Sequence, residues 1–138
     1  MADTPRIHID PDNLFDEWRE QAQQMLEWGI KLADAQLEMD TAKAKLTVVA
    51  AACAREIREN PEDFGIGRVT DAVIKDAVPE QPEHIKATKD YNKARHKVGV
   101  HKAAVDALSN RKASLQGMTD LWMRQYYADP TSNEQPRQ

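Results

Sequence analysis

A long run without proline limits this chain more than any other feature. From Ala87 to Tyr127 no residue forbids a helix, and larger or apolar side chains recur at Tyr91, Ala94, Val98, Val105, Leu108, Leu115, Trp122 and Tyr126. Their steps of three, four or seven put them on one stripe, the period of a helix packed against others. At 1.5 Å per residue such a helix is roughly 60 Å long, more than a compact domain of this size spans. It therefore needs partners along its length, either another long helix of the same chain or copies of itself. Lys112 and Thr119 fall on the stripe where leucine is expected, so the seam departs from a strict coiled coil.

The first half repeats the pattern. Asp10-Pro11-Asp12 reads as a helix start: Asp10 can cap, Pro11 suits the first helical position, and Asp12, Asp16 and Glu17 favour the positive end of the dipole. A stripe then runs through Trp18, Ala22, Met25, Leu32, Met39, Leu46, Cys53 and Ile57, with Gly29 on it as a candidate break, and Asn60-Pro61 ends the arm. Two glycines in Glu62–Gly67 predict a loop. Thr70 can cap a short helix through Val78, with Val69, Val73, Ile74 and Ala77 on its apolar side. Pro79 breaks the chain again, Pro82 fits the first turn of the last helix, and Asp129-Pro130 stops that helix.

These signals predict an all-α chain, a long antiparallel helical hairpin with a short helix at its turn, assembling into a helical oligomer. Residues 1–9 are expected to be partly disordered, with Ile7 and Ile9 as anchors. The helical domain is 10–128, divided into a first arm (10–60), a loop with a short helix (61–83) and the long C-terminal helix (84–128). Residues 129–138 read as a disordered polar tail. Much of the apolar content is alanine, so one copy has a thin core, and oligomerisation is expected to supply buried surface.

The net charge of −4 over 138 residues gives no global field towards nucleic acid or a membrane. Its distribution is uneven. Residues 1–64 carry 14 acids against 7 Lys/Arg, and residues 65–128 carry 7 acids against 11 Lys/Arg. Basic density peaks between His84 and Lys112. The single Cys53 excludes an intrachain disulfide and fits a reducing interior. An acidic N-terminus without an apolar h-region predicts no secretory signal, and no uncharged run approaches membrane-span length. The expected location is the cytoplasm, with no membrane partner.

Enzymatic chemistry finds no footing in these residues. Di-iron bundles need Glu-x-x-His pairs on facing helices, and the chain has none. His96 and His101 are five apart, about 140° around a helix, which prevents joint chelation. Cys53 sits among alanines on an apolar side, a setting that raises a thiol pKa. Gly65-Ile66-Gly67 lacks the Lys-Ser/Thr of a phosphate loop. The one-turn pairs Asp34/Glu38 and Asp16/Glu20 fit a solvated face. The chain reads as a non-enzyme with no metal and no cofactor.

The basic residues carry more information. Lys86, Lys89, Lys93 and Lys97 step by three and four into a ridge beside the apolar stripe, flanked by Arg95 and Lys102. Repeated around an oligomer, such a ridge can track a phosphate backbone by counterion release without reading bases. The competing account is that these lysines answer the acidic first arm through Glu27, Asp34, Glu38 and Asp40. Arg55 and Arg58 beside the glycine loop, with Arg68 and Lys75, form a second candidate cluster, against which stands simple compensation of a helix C-terminus. The tryptophans and tyrosines can stack bases, but Trp18, Trp122 and Tyr126 lie on apolar stripes and are expected in the core.

From Cys53 to Tyr127 the chain also carries a series of local motifs. They are Ala54-Arg-Glu-Ile-Arg-Glu-Asn-Pro, Phe64-Gly-Ile, Arg68-Val-Thr, Asn92-Lys-Ala-Arg-His-Lys-Val, Ala103-Ala-Val-Asp-Ala-Leu, Asn110-Arg-Lys-Ala-Ser-Leu and Tyr126-Tyr127. This series resembles the UvsY family of recombination mediators of T4-type phages. The resemblance implies an all-helical protein that forms six- or seven-fold rings and binds single-stranded DNA with little sequence preference. It further implies help in loading a RecA-type recombinase onto strands covered by single-strand-binding protein, inside an infected bacterial host. T4-type members use a Lys-Ala-Arg-Leu motif as a DNA contact. Here Cys53-Ala54-Arg55-Glu56 match it, so Arg55 is retained while the lysine is replaced, with Arg58 one turn further on. The resulting candidate DNA-binding residues are Arg55, Arg58, Arg68, Lys75, Lys89, Lys93, Arg95 and Lys97. The alternative expectation is a phage structural or assembly protein, a coiled-coil scaffold that binds only protein.

Overall fold

A computed structural model describes residues 3–128, and among them there is helix but no strand. Three α-helices follow one another: α1 (Leu14–Glu59), α2 (Asp71–Ala77) and α3 (Pro82–Ala128). Short 3-10 turns cover Pro61–Phe64 and Val78–Glu80. The tail expected at 129–138 lies outside the described residues.

The boundaries follow from local chemistry. Asp10 does cap, but it caps a turn rather than α1. Its carboxylate accepts from the Asp12 N–H at 3.0 Å and the Asn13 side-chain amide at 2.6 Å, so α1 opens at Leu14 instead of Pro11. Those bonds, the one from Asp12 foremost, hold the Asp10 carboxyl below its ordinary pKa. Gly29 does not interrupt α1. Gly65 ends the first 3-10 turn with φ 70°, the left-handed region that glycine enters without a Cβ penalty. Thr70 caps α2 as its position suggested, its hydroxyl accepting from the Val73 N–H at 3.2 Å. Pro82 opens α3.

The chain divides into two compact units, Met1–Leu32 with His101–Gln138, and Ala33–Val100. In the first, the start of α1 and the second half of α3 run antiparallel. Trp28 lies beside His101 at 5.8 Å between ring centroids, and the Gln21 amide donates to the Leu108 carbonyl at 2.7 Å. Further along, the Trp18 indole N–H donates to the Thr119 hydroxyl at 2.9 Å. Trp28, Leu108 and Leu115 are buried, and so are Glu17, Gln21, Gln24 and Arg111.

The inward face of α1 is therefore displaced by one residue from the expected stripe in this unit. Glu17, Gln21, Gln24 and Trp28 point inward, while Trp18 and Met25 are half-buried and Ala22 is exposed. On α3, Arg111 rather than Lys112 takes the inward position, and Trp122 and Tyr126, expected in the core, are exposed. The reason is a polar network. Arg111, 2% exposed, forms an ion pair with the carboxylate of Glu17, 4% exposed. Its guanidinium also donates to Gln21 Oε1 at 2.7 Å and to the His8 carbonyl at 3.3 Å. The other Glu17 oxygen accepts from Arg6 at 3.0 Å. Arg6 also exchanges backbone bonds with Gln24, its N–H donating at 2.8 Å and its carbonyl accepting at 3.0 Å. Residues 6–8 are thus laid against the helices by hydrogen bonds rather than by Ile7, which is exposed.

In the second unit Ala35, Cys53, Ile57, Ile74 and Ala87 are buried, with Met39, Leu46, Tyr91, Ala94 and Val98 half-buried. Here the expected stripes do face inward. Val69, expected on the apolar side of the short helix, is exposed.

Removing one partner of a buried ion pair strands the other charge in a low-dielectric site. Arg111→Ala is expected to cost about 3–5 kcal/mol, read as a lower urea midpoint with an unchanged slope. Replacing Arg111 and Glu17 together by leucine and methionine should recover most of that loss. An Arg111→Ala variant as stable as the wild type would contradict the network.

Candidate nucleic-acid interface

All eight candidate residues, Arg55, Arg58, Arg68, Lys75, Lys89, Lys93, Arg95 and Lys97, fall within Ala33–Val100, and all are exposed. α3 supplies the ridge. Being continuous from Pro82, it puts Lys86, Lys89, Lys93 and Lys97 on neighbouring turns of one face. Lys93 and Lys97 line a shallow groove of about 540 Å³ with Glu38, Asp90, His96 and Val100. Arg95 does not join them. It follows Lys93 by two residues, roughly 160° around the helix, and so presents its guanidinium on another side.

Ion pairing separates these groups further. Lys97 is bound to Glu38 at 3.1 Å, so for this one lysine the acidic arm does supply the partner. Arg58 meets Asp71 at 3.5 Å and stands in the last turn of α1, where a cation also answers the helix dipole. Lys75 holds the same place in α2. Among the described residues, Arg55, Arg68, Lys75, Lys86, Lys89, Lys93 and Arg95 enter no ion pair. The acids Glu27 and Asp34, invoked as counter-charges for the ridge, do not pair with it, Glu27 pairing with Lys31 instead at 3.3 Å.

Cys53, the position where the resembled motif has lysine, is buried. Burial first, then the carboxylates of Glu83 and Glu56, push its thiol above the ordinary value. A side chain at this position points into the core of its unit and is out of reach of a phosphate. Arg55, two residues on, is exposed and unpaired.

Position-by-position reading missed one surface in the other unit. Trp122 and Tyr126 stack at 5.3 Å with 17° between ring planes, and Tyr127 meets Tyr126 edge-on at 5.2 Å. Beside them Pro11, Leu14, Phe15, Trp18 and Thr119 line a groove of about 410 Å³. Exposed aromatics are platforms for bases, but Asp12 lines this groove and Asp120 is exposed close by in sequence, so phosphate finds little attraction here. Thr119, the polar interruption of the α3 stripe, was the sequence signal that this end is not a sealed core. No group of three or more His, Cys, Asp or Glu among the described residues can hold a metal ion. None of the described helices is long and apolar enough to cross a membrane.

No family model matches the chain, and no curated protein or solved structure matches it either.

The buried thiol gives a direct check on this geometry. Because its folded pKa is raised, the contribution of Cys53 to stability is full below the unfolded value of about 8.5 and is lost as pH rises through the folded value. Disulfide-exchange reagents are expected to modify native protein at least ten-fold more slowly than urea-unfolded protein, and Cys53→Ala should flatten the alkaline fall in stability. Equal native and unfolded labelling rates would place the thiol at the surface.

Proposed function

We propose that this chain is a non-enzymatic recombination mediator of a phage. It binds single-stranded DNA without sequence preference as a homo-oligomer of helical hairpins, six or seven copies strong. Bound there, it helps a RecA-type recombinase displace single-strand-binding protein inside the infected cell. The observation that carries the reading is the exposed face of Lys86, Lys89 and Lys93, cations with no internal partner, with Arg55 and Arg68 unpaired in the same unit. Cations already neutralised inside a fold release few counterions from DNA, whereas free ones release about one each. Oligomerisation multiplies a modest face into a long one. The motif series from Ala54 to Tyr127 supplies the recombination context, and Arg55 is the residue that the resemblance and the free-charge criterion both select.

A protein-only scaffold is the second reading, and the exposed side chains of Phe15, Leu26, Leu37 and Val48 favour it.

Titrating binding to oligo-dT against salt separates the two. A mediator should bind at low salt with a log–log slope of several units. Lys86, Lys89 and Lys93 changed together to alanine should lower affinity at least ten-fold and reduce that slope by about two to three. Lys97→Ala should change affinity less than Lys93→Ala, because Glu38 already holds Lys97. Absence of binding at low salt, with assembly intact, would leave the scaffold.

A further inference from the structure

The groove lined by Lys93 and Lys97 has a second wall on α1, within the same compact unit. Glu38 meets Lys97 at 3.1 Å. Fifteen residues further along α1, Cys53 lies near enough to Glu83, fourteen residues back along α3, for that carboxylate to act on its thiol. The two helices therefore run antiparallel here, in a known register. Seven residues make close to two turns, so Lys45, seven after Glu38, stands across from Asp90, seven before Lys97. Lys45 points within roughly 20° of Glu38, whereas Lys43 points roughly 140° away, on the other flank of α1. On α3, Lys86 and Lys93 point within roughly 40° of Lys97, and Lys89 roughly 80° away. Lys45 is exposed and, among the described residues, enters no ion pair. Thr41, Val48 and Ala52 share its flank of α1, and all three are exposed and uncharged. No carboxylate stands on that flank between Glu38 and Glu56.

We infer that single-stranded DNA runs along this groove between α1 and α3, with Lys45 holding its phosphates from the α1 side. The inference rests on the DNA-binding part of the proposed function and names the path and a further contact residue. A phosphate over the outer crest of the ridge meets cations of α3 alone. Within the groove it lies between Lys86 and Lys93 on one wall and Lys45 on the other, and a cleft lined by one sign of charge focuses the field. Thr41, Val48 and Ala52 give the α1 wall a surface on which a sugar or base buries no charge. Asp90 works against this. It stands on the face of Lys86 and Lys93, opposite Lys45, and repels a phosphate at the middle of the track. Glu38 limits the track at one end by holding Lys97.

The test measures oligo-dT binding by the full chain across a salt series. Lys45→Ala should lower affinity at least three-fold and reduce the log–log salt slope by about 0.7, the share of one phosphate contact on a single strand. Lys43→Ala, two residues away on the other flank, should leave both unchanged. Lys45→Arg should bind like the wild type, which separates a lost contact from a lost fold. Asp90→Asn should raise affinity at least two-fold. Wild-type binding by Lys45→Ala, an equal loss in Lys43→Ala or an unchanged Asp90→Asn overturns the path. If the triple lysine variant of α3 is still weakened, the DNA-binding reading survives with the strand on the outer crest. A wild-type chain that binds no oligo-dT at low salt overturns both.

Discussion

The first compact unit depends on one interaction, the pairing of Arg111 with Glu17 out of water. Charges in such a place cost several kcal/mol each to desolvate, and attraction alone seldom offsets that. Additional hydrogen bonds change the balance. Gln21 and the His8 carbonyl take guanidinium protons, Arg6 takes the second Glu17 oxygen, and Gln24 holds Arg6 by its backbone. The network thereby ties three stretches of chain together, the extended residues 6–8, the start of α1 and the second half of α3. An apolar seam can slide by a turn at modest cost, whereas this one has a single register in which both terminal guanidinium nitrogens of Arg111 and both Glu17 oxygens find partners.

The second unit is built differently. Its buried side chains are small or aliphatic, Ala35, Cys53, Ile57, Ile74 and Ala87, and its charges stay outside. Its lysine ridge rises from the same α3 whose half-buried positions are Tyr91, Ala94 and Val98. A ridge of this kind gains little from internal salt bridges, since exposed pairs are worth at most about 1 kcal/mol. Most of its cations are left available to an outside anion. Lys97 is the exception, and Glu38 makes it one.

Much of the architecture was legible in the residues. Thr70 before Asp71, Asn60-Pro61, Pro82 and the absence of proline between Pro82 and Pro130 act within a few residues of themselves, so helix type and approximate limits follow from them. The stripes through Met39, Leu46, Cys53 and Ile57, and through Tyr91, Ala94 and Val98, were also visible, because burying apolar surface has a period. Which of two adjacent residues turned inward near Trp18 and Lys112 was not. That choice depends on Arg111 finding Glu17, separated from it by most of the chain, and no local rule ranks a glutamate above a tryptophan as a core residue. The candidate interface shows the same division. The basic ridge is a spacing pattern, but whether Lys93 is free and Lys97 is not depends on where Glu38 lies.

By itself, then, the sequence determined helices, their breaks, the apolar stripes of the second unit and the positions of the cations along α1 and α3, since each of these arises from interactions within a few turns. Only the tertiary structure decided which face of each helix is inside, that a buried Arg–Glu pair replaces leucine at the centre of one unit, and which charges remain unpaired. Those outcomes rest on contacts between residues some 60 to 100 positions apart, whose free energy depends on desolvation and geometry that a linear pattern does not contain.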